Sequence, residues 1–199
     1  MNSNIKKFAT RALFSNIQRS FASSSIGEVL NKQCHLNDMR NAMRFENQGK
    51  TWTYRELNEH SDAFALGLVE LGYKPGDRLV FWFDRAQTSQ IITAQIGASK
   101  VGVSVVPVDV KNAGELESIL KETEGRGLLI SPNAKVSGET KYIDVVNEAV
   151  PVLPKAYNGQ PLKYDKLPKL KHIIHTGFYS ISGALKYRHI MVYGNPNFV

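Results

Sequence analysis

Between residues 51 and 175 the chain switches repeatedly between two hydrophobic periods, and the switching predicts strands alternating with helices. Residues 51–72 read as a short strand edge entering an amphipathic helix. Thr53 and Glu56 have capping-box spacing, and Leu57, Ser61, Phe64, Leu68 and Leu71 recur at helical intervals before Gly72 supplies a stop. Lys74-Pro75-Gly76-Asp77 is turn chemistry, and residues 79–83 form a continuous apolar run of strand length, expected to be buried on both faces. A second helix is predicted over residues 86–100. A β-branched strand follows over 103–108, with Pro107 near its end where a lost ladder bond does least harm. Asn112 is placed to cap a third helix over 113–124, whose Leu116, Ile119 and Leu120 share one face. Residues 127–131 predict a third strand, 143–149 a short helix or strand, and 170–175 a fourth apolar run; residues 151–161 read as a Pro-rich loop. This alternation predicts an α/β fold, a mostly parallel sheet flanked by helices.

The 199 residues are 42% apolar and 10% aromatic, enough for one globular domain with tails. Even the greasiest stretch, residues 91–110, carries Gln95, Lys100 and Asp109, so no bilayer span is expected. The single Cys34 excludes an internal disulfide framework and a cysteine-cluster zinc site. The net charge of +7 is unevenly placed: Lys6, Lys7, Arg11 and Arg19 precede the first acid, Glu28, and their removal leaves +3. Near the other end, Lys163, Lys166, Lys169, Lys171, Lys186 and Arg188 face only Asp165, a pattern of a solvated face or of docking arms for acidic partners.

Residues 1–25 contain no acid and are rich in Ser, Thr and Asn. Ile5, Phe8, Ala9, Ala12 and Leu13 fall on one helical arc, opposite Lys7, Arg11 and Gln18. That is the composition of a mitochondrial import presequence, and Arg19-Ser20-Phe21-Ala22-Ser23 has the character of a matrix-processing site. The expected organisation is a presequence-like arm (1–25), a linker or helical lead-in (26–44), an α/β subdomain (45–177) and a basic C-terminal tail (178–199).

Three motifs occur in a specific order: Thr53-Tyr54-Arg55-Glu56-Leu57, then Gly72-Tyr73-Lys74-Pro75-Gly76-Asp77-Arg78, then Lys100-Val101-Gly102 leading to Val106-Pro107-Val108-Asp109. Together they resemble the first N-terminal subdomain of the adenylate-forming, AMP-binding acyl-CoA synthetases. The run Leu167-Pro168-Lys169-Leu170-Lys171-His172-Ile173-Ile174-His175-Thr176-Gly177 resembles that family's strand just upstream of its phosphate loop. The resemblance implies an activity that needs a Ser/Thr/Gly-rich loop ending in Lys, an adenine and ribose site, and a mobile C-terminal domain with a catalytic lysine. No counterpart of these is found, so the chain is expected to stop short of the phosphate loop. The nearest segment, 176–183, has Phe178 and Tyr179 where a cradle needs close backbone approach, and no Lys-Ser or Lys-Thr closes it.

Other candidate chemistry is sparse, and no catalytic, cofactor-binding or metal-binding residue is expected. His35, His60, His172, His175 and His189 form no ligand set, because His172 and His175 point to opposite faces of a strand. Ser61-Asp62 and Ser104 lack a nucleophile-elbow context, and Trp52, Phe81, Trp82 and Phe83 read as core more than as a base-stacking platform. The resulting expectation is a non-catalytic accessory subunit of a mitochondrial assembly, a respiratory or ATP synthase complex, in the matrix or on the matrix side of the inner membrane. Its partners would be other protein subunits, meeting an apolar face left open by truncation. Two alternatives are a fragment of an active acyl-CoA synthetase using ATP, magnesium and CoA, and a basic mitochondrial ribosome or RNA-binding protein.

Overall fold

The computed structural model describes residues 26–157 and 159–193. The presequence-like arm and residues 194–199 lie outside the described residues. Helix α1 (Ile26–Asn37) leads into a small antiparallel hairpin, β1 (Asn41–Phe45) and β2 (Lys50–Thr53). Helix α2 (Tyr54–Glu70) then starts at the predicted cap: the Glu56 backbone N–H donates to Thr53 Oγ1 at 3.2 Å, and the Thr53 N–H donates to Glu56 Oε2 at 2.8 Å.

The body is a five-stranded parallel sheet in the order β4 (Ser104–Pro107), β3 (Arg78–Trp82), β5 (Gly127–Ile130), β8 (His172–His175) and β9 (Leu185–Lys186). By chain order within the sheet this is second, first, third, fourth, fifth. Helix α3 (Thr88–Lys100) connects β3 to β4, and α4 (Ala113–Glu122) carries the chain back past β3 to β5. Helix α5 (Tyr142–Ala149), preceded by a short hairpin of β6 (Lys135–Ser137) and β7 (Thr140–Lys141), lies between β5 and β8.

The alternation of strand side chains sorts the core into two layers. Val80, Trp82, Leu128, Ile130 and Ile173 pack with Leu116 and Leu120 of α4 and Val145, Val146 and Ala149 of α5. Leu79, Phe81, Leu129 and Ile174 pack on the other face with Phe64 and Leu68 of α2, Ala94 and Ala98 of α3, and Tyr187 and Ile190 of the short helix α6 (Tyr187–Ile190). Each large apolar side chain so buried contributes about 1.5–3 kcal/mol. Edge strand β4 is half exposed, which is where Pro107 does little harm.

Two features differ from expectation. The lead-in before residue 45 ends in a strand, β1, that pairs with β2. Part of the segment expected as a basic tail is folded into the sheet: Leu185 and Lys186 pair with Ile174 and His175. The next turn of helix buries Tyr187 and Ile190, and the Val192 N–H reaches the Ala63 carbonyl at 3.0 Å. The signal was a two-residue strand inside a cationic stretch, too short for a period to show. The α6 contact also explains a helical glycine, since a Cβ on Gly67 would lie 1.8 Å from the Ile190 carbonyl oxygen.

Candidate functional site at the carboxyl edge of the sheet

In an open parallel sheet the chain leaves neighbouring strands toward opposite faces at one point, opening a crevice beyond their carboxyl ends. Here that point lies between β3 and β5, because α3 after β3 packs on one face and α5 after β5 on the other. The register aligns Trp82, Ile130 and His175 on adjacent strands, and Phe81 with Pro107. Continued past the strand ends, it brings Asp109, Phe83, Ser131 and Thr176 into one row, with Asp84 next after Phe83.

Backbone bonds hold the row. The Val108 N–H donates to the Phe81 carbonyl at 2.9 Å, Ser131 N–H to Trp82 at 3.2 Å and Thr176 N–H to Ile130 at 3.1 Å. Asp84 Oδ1 accepts the Ala86 N–H at 3.2 Å and so caps the turn entering α3. Beneath the row the Trp82 ring stacks on Tyr142, centroids 3.9 Å apart and planes 8° from parallel. Burial pushes the Tyr142 hydroxyl above its ordinary pKa, and the Asp109 and Asp84 carboxylates push the same way, so it stays a neutral donor. Ser131 Oγ is buried without a protein hydrogen-bond partner. This edge offers hydroxyls and two carboxylates for polar recognition, but no nucleophile paired with a base.

The segment 176–183 does not fit nucleotide phosphates. Its glycines serve internal packing: a Cβ on Gly177 would lie 2.7 Å from Pro132 Cγ, and Gly183, at φ +72°, would place one 2.2 Å from the Leu153 carbonyl oxygen. Phe178 and Tyr179 project into solvent, 70% and 79% exposed, and the Phe178 carbonyl is taken by Arg188 Nη2 at 3.3 Å.

The five histidines are scattered. His172 is buried beside Tyr73, ring centroids 5.6 Å apart; His175 is fully buried on the opposite face; His60 lies against Trp52 and bonds Tyr193 through Nδ1 at 3.0 Å; His35 and His189 are exposed. Among the described residues no group of three or more His, Cys, Asp or Glu side chains could hold a metal. Ser61 Oγ donates to the Leu57 carbonyl at 2.6 Å, and Asp62 accepts from Lys100 Nζ at 2.7 Å, so this pair packs α2 on α3. Ser104 is exposed at the start of β4. Cys34 Sγ donates to the Tyr54 carbonyl at 3.1 Å, and burial raises its pKa. Phe81 and Trp82 are core; Trp52 forms an edge-to-face pair with Phe45 at 4.9 Å. Sequence reasoning missed the carboxyl-edge row, although each member directly follows an apolar run.

A model of the AMP-binding enzyme family matches residues 30–178. The chain belongs to the AMP-binding enzyme family. Among its relatives, Bacillus subtilis YngI is 29% identical over 161 residues, covering 80% of this chain and 28% of the relative. The human medium-chain acyl-CoA ligase ACSF2, mitochondrial, is 30% identical over 157 residues, covering 76% and 24%. The chain thus spans about a quarter of the length of these relatives. Among solved structures, the benzoate CoA ligase of Burkholderia xenovorans superposes with TM-score 0.60 at 17% identity, covering 85% of this chain and 28% of that one. The coronafacic acid ligase of Pectobacterium brasiliense gives 0.64 at 14% identity, covering 84% and 29%.

These findings correct the accessory-subunit reading. The family is that of AMP-binding enzymes and the relatives above are named as acyl-CoA synthetase or ligase, which fits the alternative of a synthetase part and not a respiratory or ATP synthase subunit. The expected bare sheet face is also not found, because among the described residues helices pack on both faces of the sheet.

Proposed function

We propose that this chain supplies the N-terminal sheet subdomain of an ATP-dependent acyl-CoA synthetase, the class that joins a carboxylic acid to CoA through an acyl-adenylate. The observation that carries the reading is the family match over residues 30–178, supported by relatives named as acyl-CoA ligases of which the chain spans about a quarter. The substrates of the whole enzyme would be an acyl acid, ATP and CoA. The part described here contributes the frame and the polar carboxyl edge, and by itself lacks the means to hold ATP phosphates, so the isolated chain is catalytically incompetent. Its destination is the mitochondrial matrix. The acid-free, cationic composition of residues 1–25 and the mitochondrial designation of the human relative support that address.

The test is capture of the protein from its own cells with an antibody to residues 30–178, followed by acid-dependent ATP–pyrophosphate exchange. Exchange in the captured material, with immunogold label in the mitochondrial matrix, is expected. Captured material without exchange refutes the synthetase assignment, and label in the cytosol refutes the address.

A further inference from the structure

At the amino end of the sheet, opposite the carboxyl edge, residues 162–171 form a closed loop. The Leu162 N–H donates to the Lys171 carbonyl at 2.8 Å, and the Lys171 N–H donates to the Arg126 carbonyl at 2.8 Å. Inner turns are fixed by Leu167 N–H to Tyr164 at 3.0 Å and Leu170 N–H to Leu167 at 3.1 Å. Leu162, Leu167 and Leu170 are buried in the core layer beneath. With those leucines pointing in, Lys163, Lys166 and Lys169 are held outward and exposed, and Lys171 is half-buried at the closure. The loop thus presents four lysines against one acid, Asp165. The nearby Glu117 is already paired with Lys121 Nζ at 2.7 Å. Arg126 pairs with Asp77 at 3.4 Å and adds no free charge.

The kind of partner follows from what the loop lacks. None of the large exposed apolar side chains lies in it, and Tyr164 is packed against the core. Centres of protein interfaces are enriched in aromatics and depleted in lysine, and single-stranded nucleic acid grooves interleave bases with stacking aromatics. Compact, flexible ammonium groups on a rigid support suit a diffuse negative surface, where attraction needs charge and not shape. We propose that the 162–171 loop is an electrostatic docking surface for an anionic lipid bilayer. Docked there, the protein keeps its carboxyl edge turned away from the membrane.

Full-length chain and the triple variant K163Q/K166Q/K169Q are compared by co-sedimentation with phosphatidylcholine vesicles, with and without phosphatidylserine. Each lysine near an anionic surface strengthens binding about fivefold, so the triple variant is expected to bind the anionic vesicles about a hundredfold more weakly. Wild-type binding should fall with added salt and be absent on pure phosphatidylcholine. The substitutions are on exposed side chains and should leave the thermal midpoint in place. Three results overturn the proposal: equal binding by wild type and variant, which places any affinity outside the loop; equal binding to neutral vesicles; or tighter lysine-dependent retention on poly-glutamate or RNA than on the anionic bilayer.

Discussion

Replacing His175 with Leu tests whether a buried neutral ring makes the sheet acid-sensitive. His175 ends β8, is fully buried, and neither ring nitrogen has a protein hydrogen-bond partner. Burial first, then the positive fields of Lys186, His189 and Arg188, lowers its pKa from 6.5 to about 4. The folded state therefore holds the neutral ring. Its contribution is fully present above the unfolded value and is lost as pH falls toward the folded one. Linkage gives a loss of about 2 kcal/mol by about pH 5 and about 3 kcal/mol by about pH 4 for one such group. His172, lowered to about 4 by burial and by Arg126 and Lys171, adds a similar loss, so wild type should lose about 4 kcal/mol between about pH 7 and pH 5 from the two rings. His175→Leu should halve that loss. Because the replaced nitrogens make no protein bonds, the variant should be as stable as wild type or more so near neutral pH. Urea unfolding of both proteins at the two pH values reads the difference, and carboxylate titrations common to both cancel. Identical losses in wild type and variant would show that the His175 ring is not held neutral by the fold.

Other outcomes follow from the helical layer. Gly67→Ala would place a Cβ against the Ile190 carbonyl, displace α6 from α2 and cost about 2–3 kcal/mol, seen as a lower thermal midpoint; an unchanged midpoint would show that α6 is not docked as described. Lys100→Met removes the ammonium bound to Asn58 Oδ1 at 2.5 Å and Asp62 Oδ1 at 2.7 Å. With Asp62 39% exposed, the cost should be about 2 kcal/mol, below that of a fully buried pair, and a loss beyond about 4 kcal/mol would show a drier site. Thr53→Ala should cost about 1 kcal/mol of unfolding free energy through the lost cap of α2, with no change in the denaturant slope.

The central sheet was readable in advance because its signals are local and strong. Residues 79–82 are apolar on both faces and run between turn residues, and Thr53 and Glu56 mark a helix start through side-chain chemistry that needs no tertiary partner. Of the β1–β2 hairpin only the β2 edge was legible; β1 and β9 were not. Asn41–Phe45 alternates poorly and pairs with an irregular register, while Leu185–Lys186 is a strand only because β8 lies beside it. The carboxyl-edge row was legible residue by residue but not as a group, since the strand order that brings Asp109, Ser131 and Thr176 together is a tertiary fact. The expectation of a bare sheet face is not met among the described residues, where α2, α3 and α6 pack on one face and α4 and α5 on the other.

The most direct test of the central claim is ATP–pyrophosphate exchange by the purified 199-residue chain with a series of acyl acids. Because the chain spans only about a quarter of its relatives' length, no exchange above background is expected with any acid. Acid-dependent exchange, with acyl-adenylate recovered from the same polypeptide, would contradict it.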